Sequence, residues 1–236
     1  MEKDETIQIS WVHHGQVASM FTYSLLQIVK EMPDRIGSIN TIRGLGLLAK
    51  SRNMVVQNFL DKSDDDWLFM VDSDEFIGVN EFKKLIDAAE ESVRPFMCGL
   101  YFAANSPNPA EIDPVPLIFI NTGGEDGVQP YWDYPRNQVI KIFAAGTGAM
   151  LVHRSVFEWM REAYSEEYGA DWCWFQDGPL YGNRWLSEDL TFCARVQDLG
   201  IPMHAHTGAL FAHQKEIWLD ENSYLTNTTR RTKEEK

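Results

Sequence analysis

The sequence predicts a single α/β domain built on a mainly parallel β-sheet flanked by helices. Three observations carry this. Short apolar segments alternate with amphipathic ones along most of the chain, one of them (Trp67–Val71) is apolar at every position, and no internal repeat or linker divides the 236 residues. Strand and helix patterns in alternation favour parallel strands joined by crossover helices. A strand without polar alternation is one covered on both faces. A chain of this length hides roughly 70% of its unfolded surface, enough for a substantial core.

The elements follow in order. Ile7, Ile9 and Trp11 alternate with polar neighbours, a strand that ends at His13-His14-Gly15. Ala18–Glu31 spaces Phe21, Leu25, Ile28 and Met32 as one helix face, and Pro33 stops it. Ile36–Thr41 is a second strand. Leu47–Asp61 is a second helix with Leu48, Val55, Val56, Phe59 and Leu60 as its stripe. Trp67–Val71 is a strand, Asn80–Glu91 a helix and Phe96–Tyr101 the next strand. Ala103–Pro116 carries four prolines and reads as a loop. Leu117–Asn121 and Val139–Ala144 read as strands, Ser155–Glu167 and Ser187–Leu199 as helices, and Pro202–Ala205 and Ala209–Ala212 as short strands. Residues 1–226 form the expected domain, and the polar stretch 227–236 reads as a flexible tail.

Composition narrows the function. Hydrophobic residues at 44% and charged residues at 24% exclude collagenous, mucin-like and disordered classes. With 21 Lys plus Arg against 35 Asp plus Glu, the net charge of −14 repels a phosphate backbone, which disfavours nucleic acid as partner or substrate. Met1-Glu2-Lys3-Asp4-Glu5 lacks the basic and apolar regions of a secretory signal. No apolar run approaches the ~20 residues of a membrane span. Cys98, Cys173 and Cys193 include no Cys-x-x-Cys pair, which argues for a reducing compartment and against a thiolate zinc site. The expectation is a soluble cytoplasmic protein.

Four motifs bear chemistry. First, the apolar strand Trp67–Val71 runs into Asp72-Ser73-Asp74-Glu75. In a parallel sheet that places acids where ligands bind. In extended backbone Asp72 and Asp74 project to one side, where a hard divalent ion relieves their repulsion. An acidic turn after a core strand explains the same letters. Second, Ser187-Glu188-Asp189 opens a helix. Ser187 is a natural N-cap and the acids meet the helix dipole, yet a first-turn carboxylate facing a cleft can also take a proton from a hydroxyl. Third, Gly146-Thr147-Gly148 allows close backbone approach before the strand that follows. Fourth, His213 ends the apolar run Gly208–His213, and imidazole with carboxylates suits manganese-type ions.

In this order the motifs resemble the GT-A-fold glycosyltransferases, family 2-like, over residues 6–215. Ala49-Lys-Ser-Arg52-Asn53 is similar to that family's Arg-Asn helix, Trp67–Glu75 to its metal strand, Gly146–Val152 to its donor-sugar loop, and Ser187–Cys193 with His213 to its catalytic helix and last metal ligand. The resemblance implies a Rossmann-like nucleotide-diphospho-sugar transferase fold with a nucleotide- and metal-binding half (6–102) and a donor-sugar and acceptor half (103–215). It implies Mn2+ or Mg2+ held by Asp74 and His213 with Asp72 assisting. Trp11, His13, Arg52 and Asp72 would meet the nucleotide, and Gly146, Thr147 and Gly148 the donor sugar. Asp189 would be the general base of an inverting reaction and Glu188 a binder of hydroxyls; a retaining enzyme keeps similar acids, so the stereochemistry stays open.

The implied activity moves a sugar from a nucleotide sugar, a UDP-sugar in the commonest case, to a hydroxyl of a glycan, protein or small molecule, with DNA disfavoured by charge. Trp172, Trp174 and Trp185 form an aromatic stretch suited to a lid or acceptor surface. Trp11-Val12-His13-His14 departs from the bacterial family's first-strand ending. A haloacid-dehalogenase-type phosphatase also follows a strand with Asp-x-Asp, but there at the first strand and with Thr or Val where this chain has Phe76. A non-enzymatic carbohydrate-binding protein would account for the aromatics and acidity but not for the ordered set.

Overall fold

The computed structural model describes residues 1–2, 4–44, 46–104, 113–123, 127–179 and 185–216. In chain order they form β1 (Ile7–His13), α1 (Ser19–Glu31), β2 (Ile36–Arg43), α2 (Leu48–Lys62), β3 (Trp67–Val71), β4 (Glu75–Phe76), α3 (Val79–Ala88), β5 (Phe96–Leu100), β6 (Phe102–Ala104) and β7 (Pro114–Pro116). Then come β8 (Ile118–Asn121), β9 (Val128–Pro130), β10 (Val139–Lys141), β11 (Ala144–Ala145), β12 (Ala149–His153) and α4 (Arg154–Tyr168). The last are β13 (Gly178–Pro179), β14 (Trp185–Leu186), α5 (Glu188–Asp198), β15 (Met203–Leu210) and β16 (Ala212–His213). The expected tail, 227–236, lies outside the described residues.

Seven strands make the central sheet in the order β10-β15-β5-β12-β3-β1-β2. β1 pairs in parallel with β2 and β3, and β15 with β5, while β12 runs antiparallel to β3 and β5, and β10 to β15. Thus β1, β2, β3, β5 and β15 all point one way, and the mostly parallel α/β class holds.

The sequence pattern misplaces several boundaries. Val139–Ala144 is not one strand: β10 joins the central sheet and β11 pairs with β8 in a second one. The two short strands expected at 202–212 are largely one, β15, because its pairing with β10 runs through His204–His206 even though its register against β5 shifts between Ala205 and Leu210. The proline-rich 103–116 stretch holds the ends of a β6–β7 pair. The third helix stops at Ala88 rather than Glu91, where the chain turns into a Glu90–Arg94 bridge.

The pleat of β3 explains its unbroken apolarity. Trp67, Phe69 and Val71 pack into one core with Phe21 and Leu25 of α1 and Phe82 and Leu85 of α3. Leu68 and Met70 point to the other, with Phe59 of α2, Phe157 of α4 and Phe192 of α5. Each fully buried Phe or Leu contributes about 1.5–3 kcal/mol, so helices are held on both faces and the carboxyl ends of the parallel strands remain as the open edge.

Candidate active site

At that edge β3 gives way to acids. The Glu75 amide donates to the Asp72 carbonyl at 3.1 Å, so residues 72–75 form a turn. This corrects the extended geometry expected for Asp72 and Asp74. Antiparallel pairing of β16 with β4 then sets His213 opposite Glu75. His213 Nδ1 lies 3.0 Å from the Phe102 carbonyl and 3.6 Å from Glu75 Oε1, and Nε2 lies 3.2 Å from Asp74 Oδ2. Because a carbonyl only accepts, Nδ1 carries a proton, and Nε2 is left facing a carboxylate with either a second proton or a cation between them. Lys215 supplies a cation here: its Nζ is 3.4 Å from Asp74 Oδ2 and also contacts His213 Nε2.

The electrostatics agree. Burial favours the neutral imidazole, but the Asp74 hydrogen bond and the Glu75 and Asp74 charges outweigh it and raise the His213 pKa. Burial likewise pushes Asp74 up, yet the bond and charge of His213, with Lys215, leave it below the usual carboxylate range.

Glu75 is the residue that sequence reasoning missed. It is 0% exposed, and neither carboxylate oxygen has a hydrogen-bond partner among the described residues. Burial raises its pKa to about 8; His213 opposes this and the Asp72 and Asp74 charges add to it. Ligand atoms of Asp72, Glu75 and His213 all lie within 4.8 Å of one another. Two orphaned oxygens, a second carboxylate and an oriented imidazole fit a divalent ion of the Mn2+ or Mg2+ type. Its signal in the sequence was only the letter directly after Asp-x-Asp; the β4–β16 register is what sets it opposite His213.

The titration has a consequence for stability. A carboxyl whose pKa is raised on folding costs nothing below its ordinary value of 4.5 and costs progressively more as pH rises toward 8, at about 1.4 kcal/mol per unit. The metal-free protein is therefore expected to lose melting temperature between pH 5 and 8, and Glu75→Gln should flatten that slope. Parallel melting curves for wild type and variant across this range would exclude the burial assigned to Glu75.

The glycine loop is shaped by another residue absent from the sequence reading. Tyr101, directly after β5, accepts a hydrogen bond from the Gly148 amide at 2.9 Å. A Cβ at Gly146 would stand 2.3 Å from the Tyr101 oxygen, and one at Gly148 would stand 2.7 Å from Asp72 Oδ2. The two glycines thus let Tyr101 and Asp72 press against the backbone. Burial pushes the Tyr101 pKa well up, so the phenol stays neutral. Thr147 between them is buried with its hydroxyl unpartnered, in a small pocket shared with Trp11, Arg52 and Asp72.

Arg52, one turn into α2, is 7% exposed and pairs with Glu188 and, at 3.5 Å, with Asp72. Its guanidinium ties the acidic turn to the first turn of α5, where the resemblance had implied a contact to base or ribose. Burial raises the Glu188 pKa against the opposing Arg52 charge. Ser187 occupies the N-cap position of α5 without the capping bond expected of it; its hydroxyl instead donates to Asp189 Oδ1, which also accepts from the Leu190 amide at 2.8 Å.

A cleft of about 570 Å3 opens between Asp72 and Asp74, the end of β1 and the start of α1. Strand parity puts Val12 and His14 on it rather than Trp11 and His13. Trp11 packs edge-on against Phe21 at 5.2 Å, and His13 accepts from the Gly15 amide. Of the three tryptophans expected at an acceptor surface, Trp172 is 43% and Trp185 72% exposed. Trp174 is a correction: it is fully buried, donates its indole N–H to the Phe157 carbonyl at 2.9 Å, and faces no cleft.

Sheet order, flanking helices and the acidic turn at the strand ends define a GT-A- or nucleotidyltransferase-like α/β fold. Among solved structures the chain is similar to GalNAc-T7 with UDP, GalNAc and Mn2+, at 13% identity and TM-score 0.55 over 92% of this chain and 45% of that one. It therefore spans about half the length of that protein. It is also similar to A197 from STIV (14%, TM-score 0.50, 89% of this chain and 86% of that). The third is the inositol-1-phosphate CTP transferase from T. maritima (8%, TM-score 0.50, 98% of each). At these identities the likeness is one of fold. No protein-family model matches the sequence, and no curated protein matches it.

Proposed function

We propose that this chain is a metal-dependent glycosyltransferase that moves a sugar from a nucleotide-sugar donor, a UDP-sugar, to an acceptor hydroxyl. The observation that carries it is the Asp72–Glu75–His213 cluster, ligand atoms within 4.8 Å, whose Asp72 also lines the 570 Å3 cleft while Glu75 and His213 line a neighbouring pocket of about 210 Å3. Asp72, Glu75 and the Nε2 of His213, with Asp74 facing the same nitrogen across the ion, would hold Mn2+ or Mg2+, since Nδ1 is committed to the Phe102 carbonyl. When bound, the ion neutralises the charge of a leaving diphosphate. The cleft also receives the start of α1, which has neither a capping side chain nor an acid in its first turn, and the Lys215 ammonium; both suit a diphosphate. We assign donor-sugar contacts to the backbone of Gly146–Gly148. Asp189 takes the acceptor proton while the acceptor oxygen bonds to the anomeric carbon, and the pair of the broken C–O bond leaves with the nucleotide. Glu188, held by Arg52, orients hydroxyls.

Cys98, Cys173 and Cys193 are free and buried. Among the described residues no helix is long and apolar enough to cross a membrane.

Thermal melting tests the site. UDP with Mn2+ at a hundredfold excess over Kd should stabilise the protein by about 2.7 kcal/mol, and chelator or His213→Ala should remove the shift. Equal shifts with and without chelator would sink the metal-dependent reading. Stabilisation by CTP but not UDP, with pyrophosphate released on adding a sugar phosphate, would move the chain to nucleotidyl transfer.

A further inference from the structure

A second cavity, of about 590 Å3, shares no lining residue with the 570 Å3 cleft. It runs between the start of α2 (Leu47, Lys50) and the segment that follows α4 (Tyr168, Trp172, Gln176, Asp177). We propose that this groove is the acceptor subsite and that the acceptor is an oligosaccharide whose ring stacks on Trp172. The inference rests on the glycosyltransferase reading and adds the acceptor class to it.

Four features single out a neutral sugar chain. The walls are aromatic: Trp172 is exposed although it is large and apolar, and Tyr168 and Phe175 stand beside it. Flat, rigid rings with polar neighbours are what a pyranose face packs on. The rim carries Lys50 and Asp177, one charge of each sign, with Gln176 between aromatic and polar parts. That balance favours hydroxyl groups over an anion, in a chain whose net charge is −14.

The third feature is preorganisation. Asn53 accepts from the Trp174 and Phe175 amides at 3.3 and 3.1 Å and donates to the Phe175 carbonyl at 2.6 Å. From the other side Arg195 donates to the Cys173 carbonyl at 2.8 Å and to Gln176 Oε1 at 2.6 Å, with its guanidinium 4.0 Å over the Tyr168 ring. The wall is therefore fixed before any ligand arrives, which lowers the ordering cost of binding. The fourth feature is position. Arg52, the residue before Asn53, pairs with Glu188, and Glu188 feels the charge of Asp177. The groove, lined by Asn53, and the first turn of α5, which carries Asp189, are thus joined through neighbouring residues of α2.

The test uses the full chain without donor. Trisaccharides of α- and β-linked glucose, N-acetylglucosamine, mannose and galactose are titrated by intrinsic fluorescence and saturation-transfer NMR. At least one should bind with millimolar Kd and perturb tryptophan emission. Trp172→Ala should weaken it tenfold or more, Trp172→Phe should recover most of that, and Trp159→Ala, on the exposed side of α4, should change nothing. All variants should keep the wild-type melting temperature and the shift with UDP and Mn2+. A retained UDP shift with no trisaccharide bound overturns the subsite while leaving the donor reading intact. Binding that ignores Trp172→Ala overturns it too, as does a groove that takes up the apolar dye anilinonaphthalenesulfonate and no sugar, which would mark an apolar docking surface. Loss of the UDP shift in wild type instead strikes the glycosyltransferase reading itself.

Discussion

Replacing Arg52 with methionine is expected to destabilise the protein by about 3–5 kcal/mol at neutral pH. Methionine fills much of the arginine's volume and is a good helix former, so the loss measures charge rather than space or propensity. The guanidinium is the partner of Glu188, whose carboxylate is itself buried and reaches little water. Asp72, with 36% of its side chain exposed, can turn to solvent, so the burden falls on Glu188.

The pH dependence follows in sign. Glu188 is already raised above its ordinary 4.5 by burial, and losing Arg52 removes the charge that opposes this. The variant's deficit should therefore be small below pH 4.5 and grow as pH rises, because only the ionised form is penalised. Urea unfolding at pH 4.5 and pH 7.5 reads this directly. Adding Glu188→Gln to Arg52→Met should restore most of the stability, since the uncompensated charge is then gone. An equal deficit at both pH values, unrelieved by the second change, would show that the arginine acts by packing alone.

The strands and helices were legible where one physical rule decides them. Trp67–Val71 could be only a doubly covered strand, and Phe21, Leu25 and Ile28 only one face of a helix, and both stand as read. Direction was not legible. Ala149–Val152 is equally apolar whether it runs with or against its neighbours, and the chain reaches it through small sheets rather than a crossover helix, so β12 enters antiparallel.

The site divides in the same manner. Asp72 and Asp74 announce themselves by following a core strand, and His213 by ending one. Glu75 and Tyr101 do not. A glutamate after two aspartates looks solvated until β16 pairs over it, and Tyr101 looks like the last residue of a strand until Gly148 closes on its hydroxyl. The aromatic stretch shows the limit most plainly. Trp172 and Trp174 differ by two positions in a segment without periodicity, and the backbone bonds from Asn53 and Arg195, with the Trp174 indole bond to Phe157, decide which of them faces outward.

Asp189→Asn carries the largest expected effect on activity. The proposed base sits in the first turn of α5, and its carboxylate is aimed by two donors on the same oxygen, the Ser187 hydroxyl and the Leu190 amide. Asparagine keeps the side-chain size and one acceptor oxygen, so both donors can still be met and the fold should be unaffected. What it lacks is the basicity to remove a proton from the attacking hydroxyl. Loss of a general base costs on the order of 10²–10⁴ in rate, so kcat for sugar transfer should fall by at least about a hundredfold while UDP and Mn2+ bind as in wild type.

Ser187→Ala gives the graded comparison. The serine makes no capping bond, so its loss should cost less than about 1 kcal/mol of stability. It does, however, free one side of Asp189, and transfer should fall by a smaller factor than in Asp189→Asn because the Leu190 amide still holds the carboxylate. Steady-state rates with saturating donor separate the two variants. If Asp189→Asn transfers sugar at close to the wild-type rate, the proton goes elsewhere, and the neighbouring acid Glu188 or a retaining displacement becomes the better account of this edge of the sheet.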